Sequence, residues 1–239
     1  MGPLGLEVGV TLARVLPCPR SDLTSNCVPG DVLNNYQIKW VAASLMLLDH
    51  VGAIFFPGIA IFRILGRFSF PCFILLLVDG EAHTRNVSQY CLRLLLLGVA
   101  SQPLFWLVFR SPQGNILFVL SLGLVCLRLV RRFSQGRLVI WSLAAAIAQL
   151  LHLEYGAYGV LAIALIRHLR AEVSWWAGWI GLHFGLVLLA PGFASFQLAA
   201  IFAPLLLGLA NHQQGKKARW FYLFYPLHLL ALGLLSQII

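Results

Sequence analysis

The chain has 239 residues, of which 60% are hydrophobic and only 10% charged, and its mean hydropathy is +0.85. A soluble domain of this length cannot cover so much apolar surface, so the composition excludes an ordinary soluble globule and points to an all-α, polytopic bundle of transmembrane helices. The net charge of +9 sits in short basic segments between apolar runs, which is the pattern of a membrane topology signal and not of a nucleic-acid-binding surface.

Residues 1–36 read as a loop-like or disordered tail. Glu7 and Arg14 interrupt the apolar character of Met1–Leu16, and Gly, Pro, Ser and Asn crowd Pro17–Asn35. Residues 37–239 read as the transmembrane domain. Apolar runs follow at 39–57, 59–79, 91–109, 116–130, 138–153, 155–169, 175–190, 196–210 and 220–238, which predicts about nine spans. Fourteen of the seventeen Lys and Arg residues fall on alternate connections: Arg14, Arg20 and Lys39; Arg85 and Arg93; Arg128, Arg131, Arg132 and Arg137; Arg167 and Arg170; Lys216, Lys217 and Arg219. The other side has only Arg110, with Arg63 and Arg67 inside the second run. This bias predicts a cytoplasmic amino end and an external carboxyl end.

The first run, Lys39 to Pro57, carries Asp49 and His50 side by side. Ionisable groups are costly in hydrocarbon and mark working sites in membrane helices. Lys39 and His50 are eleven residues apart, close to three helical turns, so they share one stripe at a separation of roughly 16 Å. Ala43 and Met46 lie between them. A cation at the mouth and an imidazole below suit a long ligand with an anionic head and a reactive tail.

In the second run, Arg63 and Arg67 are four apart and share a face. The expected topology brings them to the depth of Asp49 and His50. Pro71 follows and predicts a freed carbonyl and a kink. The cysteines at 18, 27, 72, 91 and 126 have no metal-ligand spacing with histidine and read as small apolar residues, so no metal is expected.

These residues resemble a known family. The run K-W-V-A-A-S-L-M-L-L-D-H-V-G is followed by R-I-L-G-R-F-S-F-P-C-F-I-L-L-L-V-D-G and by H-T-R-N-V-S-Q-Y-C-L-R-L-L-L-L-G-V-A-S-Q-P-L-F. Then come G-N-I-L-F-V-L-S-L-G-L, E-Y-G-A-Y-G-V-L and F-Y-L-F-Y-P-L-H-L-L. Over about residues 37–236 this series is similar to the TraX family of conjugation-associated membrane proteins. The resemblance implies a multi-pass protein of the bacterial inner membrane that acetylates the amino terminus of a pilin subunit, with acetyl-CoA as donor. The Lys39-x10-His50 spacing also resembles the Arg/Lys-x10-His motif of multi-spanning membrane acyltransferases, whose histidine is regarded as catalytic.

Within that frame His50 is the candidate general base. Asp49 is expected to pair with Arg63 or Arg67, leaving the other arginine to stabilise an oxyanion; a purely structural bridge is the alternative. Lys39, His83, Thr84 and Arg85, with Arg93 nearby, are candidates to hold the phosphates of coenzyme A. Topology-setting charge and lipid contact are the alternative for these cations. Glu154 is either a contact for the acceptor amine or a solvated loop acid. His228, after Pro226, is either a second acid/base or a histidine bonded to a freed backbone group. Asn115 is expected to cap a helix. A proton-coupled transporter and a non-catalytic membrane subunit are the competing functions, although the chain lacks an internal repeat. The acceptor, the acyl group and the oligomeric state stay open.

Overall fold

A computed structural model of the chain describes residues 32–169 and 172–238. Most of the expected tail, with Cys18 and Cys27, lies outside the described residues, as does Arg170. The described residues fold into helices α1 (Asn35–Phe55), α2 (Ala60–Gly66), α3 (Ser69–His83), α4 (Val87–Phe109), α5 (Ile116–Arg132) and α6 (Arg137–Leu150). After them come α7 (Gly156–Ile166), α8 (Val173–Leu189), α9 (Pro191–Gln197), α10 (Ala203–Leu207) and α11 (Trp220–Leu235). Ala60–His83 and Pro191–Leu207 each run on as one helical unit, so nine units stand where the sequence has nine apolar runs.

Local chemistry sets the helix starts. Asn34 accepts a hydrogen bond from the Gln37 amide, and the Gln37 side chain accepts one from the Asn34 amide, a reciprocal capping box for α1. Asn86 caps α4 and Asn115 caps α5 by the same kind of bond. Asn115 performs the expected role and more, since its side chain also donates to Gly98 O and Gln102 Oε1 and so fastens α5 to α4. The break between α2 and α3 falls at Arg67–Phe68, just before Pro71. Pro71 therefore sits in the first turn of α3, where its missing N–H costs little.

Among the described residues, three helical units are long and apolar enough to cross a membrane: Asn35–Phe55, Ala60–His83 and Val87–Phe109. The others are shorter. Gly156–Ile166, with 11 residues, extends only roughly 17 Å at 1.5 Å per residue, against a hydrocarbon core of about 30 Å. The surface is nonetheless that of a membrane protein. Leu92, Leu96, Val99 and Leu107 of α4 and Leu138, Val139, Leu143 and Leu150 of α6 are exposed, forming apolar faces larger than water tolerates.

The core lies between α1, α3, α5 and α7, where Ala42, Ile74, Val119, Leu124, Val160 and Ile163 are fully buried. Helix α1 packs on α2, α3 and α11, and α11 packs on α4. Residues 32–35 join the other end of the chain through backbone bonds to Leu209 and Gln213. Two acids at the end of α3 complete the frame. Asp79 meets His212 at 3.0 Å, and Glu81 meets Arg131 at 3.0 Å and Arg128 at 3.8 Å. These contacts gather the start of α1, the ends of α3 and α5, and residues 212 and 213 at one basic end of the bundle.

Candidate functional site

The stripe of α1 that carries Lys39, Ala43, Met46 and His50 faces inward: Ala43, Met46 and His50 are buried and Lys39 is half-buried. At the basic end, Lys39 lies over the ring of Phe221, with Nζ 5.7 Å from the ring centre. Lys39 lines a cavity of about 610 Å³ together with His83, Thr84, Arg85 and Arg93, a size ordinary for a small-molecule or cofactor site. The four residues expected to bind a donor are thus brought to one opening. They come from α1, from the end of α3 and from the turn into α4, where Thr84 terminates the helix and the His83 ring bonds back to Asp79 O at 2.8 Å.

The cavity runs inward between α1, α3, α4, α5 and α11 to Met46, Ile116 and Tyr225. The same three residues line a second, small cavity of about 20 Å³, which also touches Asp49, His50, Gly66, Ser69, Glu154 and Tyr155. The histidine level therefore lies directly behind the inner wall of the larger cavity.

His50 Nδ1 is 2.9 Å from His228 Nε2, and the two rings stack at 18°. His228 Nδ1 in turn lies 2.8 Å from Phe224 O. A carbonyl oxygen only accepts, so with both rings neutral His228 Nδ1 carries its hydrogen and its Nε2 accepts. His50 Nδ1 then donates, and its lone pair is left on Nε2. Of the two expectations for His228, the structure shows the backbone bond, and the same ring also meets His50. That carbonyl is not freed by Pro226, because the group Pro226 leaves unpaired is four residues before it, at Tyr222. The Phe109 ring meets His50 edge-on, at 4.8 Å between centres.

Asp49 turns away from His50, as their 100° offset on a helix requires. Both of its oxygens accept from Arg67 Nη2 at 2.5 Å, and Oδ2 also accepts from Arg63 Nη1 at 3.1 Å. Neither arginine is therefore released by Asp49. Arg63 is the freer, with a side chain 26% exposed against 7% for Arg67, and its guanidinium lies 5.9 Å from the Phe196 ring centre. The close approach of α2 to α1 needs a glycine: a Cβ at Gly66 would collide with the Asp49 side chain.

Glu154 faces this cluster from the loop between α6 and α7. The loop is pinned to the start of α5 by Gly114 N–H donating to His152 O and Glu154 N–H donating to Gly114 O. It turns sharply, with His152 at φ 49° and Tyr155 at φ 64°, left-handed conformations that a bulky residue adopts only under constraint. The Tyr155 ring is held flat on Phe70, 4.1 Å between centres. Burial pushes the Glu154 carboxyl up to about 7, with Arg67 pulling it down and Asp49 adding to the rise. Glu154 is thus a partly buried member of the cluster and not a solvated loop acid.

The residues that sequence reading passed over are Tyr225, Tyr155 and Ser69, whose hydroxyl donates to Ala42 O. A signal for Tyr225 existed: it lies three residues before His228, on the same helix face. His183, given no role beforehand, makes a structural contact 3.1 Å from the Tyr158 hydroxyl, and Tyr158 accepts from Gln197. His212, likewise unassigned, is the partner of Asp79.

Fold and site define an all-helical membrane protein with a cation-mouthed internal cavity ending beside a buried histidine pair and an Asp–Arg cluster. The family model described as TraX protein matches residues 34–236, and the chain belongs to this family. Among curated proteins it is similar to the "Probable fimbrial assembly protein FimC, serogroup H1" of Dichelobacter nodosus. The two are 29% identical over 228 residues, covering 81% of this chain and 92% of that protein. No solved structure matches.

Proposed function

We propose that this protein is an acetyltransferase of the bacterial inner membrane. It takes an acetyl group from cytoplasmic acetyl-CoA and passes it to an acceptor in or across the membrane. The name of the Dichelobacter relative and the family's link to pili make the amino-terminal amine of a pilin subunit the first acceptor to test. One observation carries the reading: a single cavity has Lys39, Arg85 and Arg93 at its opening and, behind its far wall, His50, whose Nδ1 is engaged by His228 and whose Nε2 has no hydrogen bond among the described residues. The cations suit the phosphates of coenzyme A, and the apolar walls suit the pantetheine arm.

In the proposed reaction the acceptor nitrogen or oxygen attacks the thioester carbonyl while His50 Nε2 takes its proton. The carbon–sulfur bond breaks, the new carbon–nitrogen or carbon–oxygen bond remains, and the thiolate recovers the proton from His50. His228 holds the ring in the tautomer this requires and shares the transient positive charge. Arg63 and Arg67, only partly neutralised by Asp49, provide a positive field for the developing oxyanion.

The test is transfer of labelled acetyl from acetyl-CoA to a pilin amino-terminal peptide by the detergent-purified protein. His50→Ala is expected to stay folded and lose about 10²–10⁴ in turnover. Lys39→Ala is expected to raise KM for acetyl-CoA with little change in kcat, since it removes binding remote from the reacting carbonyl. A His50→Ala protein that transfers acetyl at the wild-type rate would end this mechanism.

A further inference from the structure

Six buried side-chain polar atoms lack a hydrogen-bond partner among the described residues, and two of them, Asn35 Oδ1 and the Tyr225 hydroxyl, belong to residues that line the large cavity. Tyr225 is only 5% exposed. The Ile116 backbone amide lies toward the phenol oxygen, but no acceptor among the described residues takes the phenol O–H; a buried donor without an acceptor is costly, and native proteins keep few such groups without a use for them. Its position gives the use. Tyr225 is one of the three residues lining both the large cavity and the small one that contains His50. Its ring packs edge-on against His228, 5.5 Å between centres, which fixes its place relative to the histidine pair. The hydroxyl thus belongs to the wall where a ligand threaded from Lys39 would end.

We propose that the Tyr225 hydroxyl donates a hydrogen bond to the carbonyl oxygen of the bound thioester and to the oxyanion that replaces it. This rests on the acyl-transfer reading above and assigns the group that meets the carbonyl. An O–H is a suitable donor here, because it remains neutral in the apolar wall while the oxygen it faces gains negative charge. Attack by the acceptor moves the carbonyl π electrons onto that oxygen. They return to reform the carbonyl as the thiolate leaves. Tyr225 keeps its proton throughout, and His50 alone carries the acceptor's proton.

The experiment compares wild type with Tyr225→Phe, using acetyl-CoA and an acceptor peptide, and records kcat, KM and thermal stability. The expected result is a loss in kcat of about 10²-fold, the scale of one oxyanion donor, with KM for acetyl-CoA within twofold. Thermal stability is expected to be unchanged or higher, because removing an unpaired buried hydroxyl removes a cost. A Tyr225→Phe protein as fast as wild type overturns the assignment and leaves the His50 reading standing. A lowered melting temperature or failure to fold also overturns it, since the hydroxyl would then be bonded within the protein. A folded wild-type protein that consumes no acetyl-CoA removes the acyl-transfer reading and this assignment together.

Discussion

Asp49 and His50 are neighbours in the chain with separate jobs, and two substitutions distinguish them. His50 contributes a lone pair and a hydrogen bond to His228, so its loss should be felt in turnover. Asp49 is the anion shared by two guanidinium groups, one of them 7% exposed. Asp49→Asn leaves Arg63 and Arg67 facing one another with their shared anion gone. Breaking a buried ion pair from one side commonly costs about 3–5 kcal/mol. The expected outcome is a marked fall in the yield of monodisperse protein and in melting temperature, accompanying any loss of activity. A variant purified in wild-type yield with an unchanged melting temperature would show that Glu154, the other acid facing the arginines, replaces Asp49. The Asp49–arginine pairing was legible in the sequence, because an acid at that depth needs a cation and spacing placed two at its level. The His50–His228 bond was not. The periodicity of one helix says which residues share its face, but nothing about which residue 178 positions away will meet them.

Helix α2 shows what a short element contributes and what a sequence hides. Its seven residues hold both Arg63 and Gly66 against α1, and the glycine is required by proximity, since its backbone conformation is ordinary. A methyl at Gly66 would overlap the Asp49 side chain, and one at Gly52, on the facing helix, would overlap Phe62. Gly66→Ala should therefore push α2 off α1 and disturb the Asp–Arg cluster. Overpacking of this kind typically costs about 1–3 kcal/mol. The expected readings are a lower melting temperature and reduced turnover, with KM for acetyl-CoA little changed because the opening at Lys39 is remote. Wild-type stability in Gly66→Ala would mean that α2 can move without penalty. At this scale the nine apolar runs were legible because hydropathy sets them, and each became a helical unit. The break before Pro71 was legible as well, since that proline predicts a kink there; the one beside Pro204 was not, because it falls where one short helix passes through a 3-10 turn into the next. Asp79 and Glu81 escaped notice for a related reason. Near the end of an apolar run they look like interfacial acids, and only packing shows them 1% and 3% exposed with His212, Arg128 and Arg131 as partners.

For the whole molecule the proposed function turns on direction: in that reading donor and acceptor reach one histidine pair from opposite ends of the bundle. The large cavity opens among Lys39, Arg85 and Arg93, and the same end holds the Glu81–Arg131 and Asp79–His212 contacts. The opposite end holds Arg63, Glu154 and the loop pinned to the start of α5. The charge bias of fourteen to three predicts a cytoplasmic basic end, where acetyl-CoA is made, and the proposed function then gives the Arg63–Glu154 end to the acceptor. Nine crossings also demand that several helices shorter than a bilayer's thickness span it, which is possible if the membrane thins around them or their ends extend through the connecting turns. Reporter fusions decide the matter. A fusion after Arg132 is expected to report the cytoplasm, one after Arg110 the outside, and one at the carboxyl end the outside. If the fusions after Arg132 and at the carboxyl end report the same side, the crossing number is even between them, and the nine-span arrangement fails. If all three report the sides opposite to those expected, the donor opening faces away from the cytoplasmic acetyl-CoA, and the proposed direction of transfer fails with it.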